Sequence, residues 1–123
     1  MDIDRIAVLV VEDEFLLRMD IVQQLEEAGF KVFEAADATQ AIELLVANKS
    51  ISVVFTDIDM PGGIDGLKLA AAVRDRWPPI KIIVTSGLHT IDIGTLPVEG
   101  RFMPKPYNPA TVISTIREMV SPT

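Results

Sequence analysis

Apolar residues come in short runs along this chain, and polar or turn-forming residues separate them. Ile6 to Val11 is an almost unbroken apolar run, the pattern of a strand buried on both faces of a parallel sheet. It ends abruptly in Glu12-Asp13-Glu14, where Asp13 can cap the next helix and Glu14 favours its N-terminal dipole. Leu17, Ile21, Leu25 and Ala28 then recur at helical spacing, and Gly29 supplies the stop. Lys31 to Ala35 reads as a short strand. Asp37 or Thr39 can cap a helix through about Ala47, with Ile42, Leu45 and Val46 facing inward. After the turn Asn48-Lys49-Ser50, the run Ile51 to Thr56 predicts a central strand. It must end near Asp57 to Asp59, because Met60-Pro61-Gly62-Gly63 cannot continue it.

The second half repeats the pattern. Gly66 to Trp77 predicts a helix with Leu67, Leu69, Ala70 and Val73 as its apolar set, Asp65 as its N-cap and Pro78-Pro79 as its stop. Trp77 is most simply a packing residue. Ile80 to Val84 is another buried strand and leads into Thr85-Ser86-Gly87. Gly94, Pro97 and Gly100 interrupt the stretch that follows, which predicts a short or frayed helix at most. His89 lies there without a partner cluster in sequence, so a surface role is expected of it. Arg101 to Pro104 is the last strand. Asn108-Pro109 is a good N-cap and first-turn pair for a closing helix to about Val120, with Val112, Ile113, Ile116 and Val120 apolar, and Ser121-Pro122-Thr123 is a tail.

Strands that alternate with helices in this way argue for a parallel sheet with helices on both faces and right-handed crossovers. The length of 123 residues fits one domain. The charge is −7 and no Lys/Arg cluster appears, so nucleic-acid binding is not expected. Cysteine is absent, which excludes a disulfide framework and thiolate metal sites. No apolar run reaches the ~18 residues of a membrane span, and no signal-peptide pattern opens the chain. The expected setting is cytoplasmic.

Ligands of an open parallel sheet bind at the carboxyl ends of its strands. Four predicted strands deliver chemistry there: Glu12 and Asp13, then Asp57 with Asp59, then Thr85, then Lys105. A single such aspartate is more often a turn cap. Several carboxylates in one crevice repel each other unless a cation joins them, and Mg²⁺ prefers carboxylate oxygens. Asp57 would then be a nucleophile able to form an acyl phosphate. Mg²⁺, the Lys105 ammonium and the Thr85 hydroxyl would neutralise the transferred charge. No Walker or Rossmann glycine pattern is present to supply a nucleotide donor.

These residues carry a resemblance. Val10-Val11-Glu12-Asp13-Glu14, Asp57-Ile58-Asp59-Met60-Pro61 with Asp65-Gly66, Thr85-Ser86-Gly87 and Lys105-Pro106, in this order, resemble the receiver domain of bacterial two-component response regulators. The resemblance covers essentially the whole chain and looks like the single-domain type, residues 1–123 without an output domain. It implies a flavodoxin-like five-stranded parallel sheet of order 2-1-3-4-5. It implies that Asp57 accepts a phosphoryl group from the phosphohistidine of a sensor histidine kinase or a histidine phosphotransfer protein. Glu12, Asp13, Asp57 and the backbone carbonyl of Asp59 would surround Mg²⁺. Thr85 and Lys105 would bind the phosphoryl group, and Phe102 would be the switch aromatic. Such a protein is a regulatory phosphoacceptor that catalyses only its own phosphorylation and dephosphorylation, and it signals to a further protein partner.

Some features depart from the family pattern. The turn after Met60-Pro61 is one residue longer, the helix after the fourth strand is short or missing, and Phe102 lacks a tyrosine hydroxyl. The stretch from Leu88 to Tyr107 resembles single-domain receivers that pair with a variant class of kinases. Asp59 adds a carboxylate expected to repel water or phosphate and so to change the hydrolysis rate. Two rivals remain: an aspartyl-phosphate phosphatase of the haloacid dehalogenase type, which Asp57-Ile58-Asp59 also resembles, and a receiver-like interaction module that is never phosphorylated.

Overall fold

The computed structural model describes residues 5–59, 66–87 and 100–120. Its elements are β1 (Ala7–Val11), α1 (Phe15–Glu27), β2 (Lys31–Ala35), α2 (Ala38–Ala47), β3 (Ile51–Asp57), α3 (Gly66–Arg76), β4 (Lys81–Ser86), β5 (Gly100–Pro104) and α4 (Pro109–Val120). All strand pairs are parallel, and the order is β2-β1-β3-β4-β5. The expected doubly wound, flavodoxin-like architecture is therefore present. The short or missing helix before the last strand, His89, Gly94, Pro97, the Met60 to Asp65 turn and the Ser121 to Thr123 tail lie outside the described residues.

The central strands are apolar on both faces because both faces are covered. Leu9, Val11, Val54, Ile82 and Val84 pack with Ala38, Ala41 and Leu45 of α2 and Leu69, Ala70 and Val73 of α3. Val8, Val10, Val53, Phe55 and Ile83 pack on the opposite face with Ile21, Val22 and Leu25 of α1 and Val112 and Ile116 of α4. Side chains on a strand alternate between faces, so the residues at each strand end inherit a face from those before them.

Local chemistry sets most helix boundaries. Asp37 caps α2 by accepting from the Gln40 N–H at 2.8 Å, and Asn108 accepts from the Ala110 N–H at 2.9 Å at the start of α4. Gly29 has φ 102° just beyond α1, a left-handed position that suits glycine at a helix end. Two expectations need correction. Val46 is 53% exposed, because α2 turns Ala38, Ala41 and Leu45 toward the sheet and leaves Val46 on the far side. Asp13 does not cap α1: Glu14 holds the N-cap position without a side-chain bond, and the Glu12 carboxylate accepts from the Glu14 N–H at 3.0 Å instead. Trp77 packs partly buried against the α2–α3 core, with the Arg76 guanidinium 4.5 Å from its ring centre.

Gly66 opens α3 against the end of β3. A Cβ there would stand 2.4 Å from the Asp57 carbonyl oxygen and 2.7 Å from the Ile58 Cα. Both neighbours are backbone and cannot yield cheaply. Alanine is the better helix former by about 1 kcal/mol, but overpacking of this kind costs about 1–3 kcal/mol. Gly66→Ala should therefore lower the thermal unfolding midpoint. A neutral or raised midpoint would show that α3 can move away from β3.

Candidate functional site

Parallel register brings the strand ends level. Val11 pairs with Thr56, Asp57 with Thr85, and Thr85 with Met103. Alternation then puts Glu12 after Val10, Asp57 after Phe55, Thr85 after Ile83 and Lys105 after Met103 on the α1–α4 side of the sheet. Four residues far apart in sequence thus converge at one corner. Glu12, Asp57 and Thr85 are buried there, and Asp13 is exposed at the rim.

Lys105 ties the corner together. Its Nζ lies 3.1 Å from Glu12 Oε1 and 3.2 Å from Asp57 Oδ2. Burial alone would lower the Lys105 pKa, but the hydrogen bond and charge of Glu12, joined by Asp57, outweigh it and raise the pKa above its ordinary value. Burial, followed by the neighbouring Asp57 charge, raises the Glu12 pKa, and the Glu14 N–H and Lys105 offset only part of this. Asp57 Oδ1 accepts from the Asp59 N–H at 3.0 Å, which holds the loop leaving β3 against the carboxylate.

One carboxylate oxygen from each of Glu12, Asp13 and Asp57 lies within 4.8 Å of the others. One ammonium cannot neutralise three acids. Hard carboxylate oxygens at this spacing suit a divalent cation that takes oxygen ligands. Thr85 Oγ1 is buried with no hydrogen-bond partner. An unmet hydroxyl beside a buried carboxylate is an unsatisfied group of the kind that a ligand can complete.

Two other expected residues stand differently. The Asp59 carboxylate is not part of the acid cluster. It accepts from Ser86 Oγ at 2.9 and 3.1 Å and from the Gly87 N–H at 3.0 Å, so its charge is already engaged by the end of β4. Phe102 pairs with Val84 and packs, partly buried, on the α2–α3 face, the side of the sheet opposite to Thr85 and Lys105.

Sequence reasoning missed three participants. Arg18 donates to the Glu12 carbonyl at 2.8 Å and pairs with Glu34 at 2.9 Å, bracing the end of β1. Ser86 was quoted only as part of a motif. Tyr107 meets Phe55 edge to face at 5.3 Å and, with Leu17, Asp20, Lys105, Pro106 and Pro109, lines a cleft of about 280 Å³ between α1 and α4. The spacing of Tyr107 from Lys105 was a usable signal for it. The partners of Arg18 and Ser86 come from other elements and left none.

Comparisons with known proteins agree with this geometry. The family model described as "Response regulator receiver domain" matches residues 8–117. A curated relative, the sensor kinase CckA of Brucella abortus, is 34% identical over 118 residues, covering 93% of this chain and 12% of that protein. The chain thus spans only a small part of that relative's length. A response regulator receiver protein from Sinorhizobium medicae superposes with a TM-score of 0.86 at 27% identity, covering 94% of each chain. The response regulator TrrA of Thermotoga maritima, solved with Mg²⁺-BeF, has the same fold at a TM-score of 0.82 and 24% identity, covering 94% of this chain and 99% of that one.

Tyr107 is the one tyrosine of the chain, so its titration can be read directly. Burial first, then the negative charges of Glu12, Asp20, Asp57 and Glu14, push its pKa well above the ordinary 10.0. The folded state keeps a proton that the unfolded state loses, so stability should fall as pH rises from about 10 through the folded value. Phenolate absorbance should therefore appear at higher pH in the native protein than in urea. Coincident curves would place the ring in water.

Proposed function

The chain belongs to the response regulator receiver domain family, and from that premise we propose that it is a phosphoacceptor of a two-component phosphorelay. Receiver domains of this family are regulatory phosphoacceptors. The observation that carries the reading for this chain is the buried Asp57 carboxylate, gripped by Lys105 at 3.2 Å with Glu12 and Asp13 beside it and the unpartnered Thr85 hydroxyl on the next strand.

In this reading Asp57 attacks the phosphorus of a phosphohistidine on a histidine kinase or histidine phosphotransfer protein. An oxygen–phosphorus bond forms as the phosphorus–nitrogen bond breaks, and the histidine leaves as imidazole. Glu12, Asp13, Asp57 and the Asp59 backbone carbonyl would hold Mg²⁺, which would supply positive charge beside the acceptor. Lys105 already faces Asp57 and shifts its pairing from carboxylate to phosphoryl. Thr85 donates its free hydroxyl to a phosphoryl oxygen. Phe102, paired with Val84 beside Thr85 and facing the other side of the sheet, would carry the change to the α2–α3 side.

The donor would arrive beside α1. Phe15 is 59%, Leu16 73% and Met19 49% exposed, on the first turns that follow the acid cluster. Exposed apolar side chains scattered singly mean little, but a contiguous group marks a contact surface. A helix of the donor packed here would bring its phosphohistidine to Asp57.

Intact mass after incubation with Mg²⁺ and acetyl phosphate tests the acceptor. The parent should gain one base-labile phosphoryl group and Asp57→Asn none. Stoichiometric labelling of Asp57→Asn would move the acceptor to another residue. Lys105→Ala should retain Mg²⁺ binding while losing the switch.

Leu16→Glu tests the docking surface. It should leave labelling by acetyl phosphate unchanged while slowing transfer from a cognate phosphorylated kinase about tenfold or more, the size of a hot-spot loss. Equal transfer rates would remove α1 from the interface.

A further inference from the structure

The carboxylate of Asp59 does not face the acid cluster. It reaches across to β4, where both of its oxygens accept from Ser86 Oγ, at 3.1 and 2.9 Å, and one also accepts from the Gly87 N–H at 3.0 Å. The same segment is pinned twice more. The Ile58 N–H donates to the Thr85 carbonyl at 3.0 Å, and the Lys105 N–H to the Ser86 carbonyl at 2.9 Å. Thr85, directly before Ser86, keeps its own hydroxyl buried and unpartnered. Hydrogen bonds to an ionised acceptor are about twice as strong as neutral ones. A carboxylate that takes two donors, the Ser86 hydroxyl and the Gly87 N–H, from one short segment is therefore a strong tie.

From this we infer that Asp59 is a positioning residue: through Ser86 and Gly87 it holds the end of β4 in the arrangement in which the Thr85 hydroxyl is unmatched, and so opposes phosphorylation-linked rearrangement. The inference rests on the phosphoacceptor reading above. A phosphoryl group on Asp57 would be a partner for the buried, unmatched Thr85 Oγ1, and on this inference Thr85 moves together with its neighbours to reach it. Those residues are the ones that Asp59 grips. The contact exists before phosphorylation and weakens after it, so it biases the equilibrium toward the unphosphorylated arrangement. The role differs from charge repulsion at the acceptor. It needs the Ser86 hydroxyl, which carries no charge.

That difference sets the test. Affinity for beryllofluoride with Mg²⁺, a stand-in for the phosphoryl group, is measured for the parent, Ser86→Ala, Asp59→Asn and the double variant, together with amide exchange at Gly87 without beryllofluoride. If Asp59 acts through Ser86, both single variants bind beryllofluoride more tightly, by about tenfold for loss of a contact worth ~1.4 kcal/mol. The double variant gains little beyond the better single one, because the two residues share one contact. Gly87 exchange accelerates in Asp59→Asn. A merely structural contact would lower the melting temperature and leave beryllofluoride affinity unmoved, which overturns the inference. Tightening in Asp59→Asn alone, with Ser86→Ala like the parent, means that charge acts without the tie and also overturns it. A parent that takes up neither beryllofluoride nor phosphate defeats the phosphoacceptor reading itself, and the inference with it.

Discussion

The site is governed by one constraint: the sheet forces the carboxylate oxygens of Glu12, Asp13 and Asp57, which repel one another, within 4.8 Å of each other. Water is largely excluded from two of the three. Isolated buried carboxylates would take up protons, and the raised Glu12 pKa shows the start of that response. Lys105 is the resident counter-charge, in contact with both buried acids. Its raised pKa is the other side of the same bargain. A buried ion pair of this kind contributes little to folding, because desolvation offsets its attraction. The cluster is better understood as a group of acids spaced to suit a divalent cation, carried by a fold that is stable for other reasons.

Those reasons are apolar. The two faces of the sheet bury separate clusters, one under α2 and α3 and the other under α1 and α4. Because the core belongs to the strand interiors, the strand ends are free to carry polar groups. Alternation then sorts them. Glu12, Asp57, Thr85 and Lys105 fall on one side, whereas Phe102 falls on the other with Val84. Asp57 pairs with Thr85 and Phe102 with Val84, so the two lie on opposite faces of the sheet and the β4 backbone links them. That link is where Asp59 takes hold. The Asp59 carboxylate, expected from the sequence to repel water or phosphate, is hydrogen-bonded to Ser86 and Gly87 at the end of that strand.

Much of this was legible in residue order. The apolar runs, the Asp37 and Asn108 caps and the Gly29 stop are local signals, and each acts within a few residues of itself. The strand ends at Glu12, Asp57, Thr85 and Lys105 were legible too, because a turn residue or a charge must follow a buried strand. Val46 was misplaced because an apolar residue on a helix is compatible with either of two adjoining faces, and only the sheet beneath α2 chooses between them. Asp13 was offered as a cap because it is the right residue in the right place, but the Glu12 side chain reaches the Glu14 N–H first.

Sequence by itself therefore determined the class of fold, the identity of the acidic and basic groups, and the strand ends that carry them, since hydrophobic period and chain punctuation are one-dimensional properties. Tertiary structure alone decided which oxygens meet Lys105, which way Asp59 turns, and that Arg18, Ser86 and Tyr107 belong to the site. A hydrogen bond or ion pair depends on distances of about 3 Å between groups, and those distances are set only when parallel strands come into register and helices close over them.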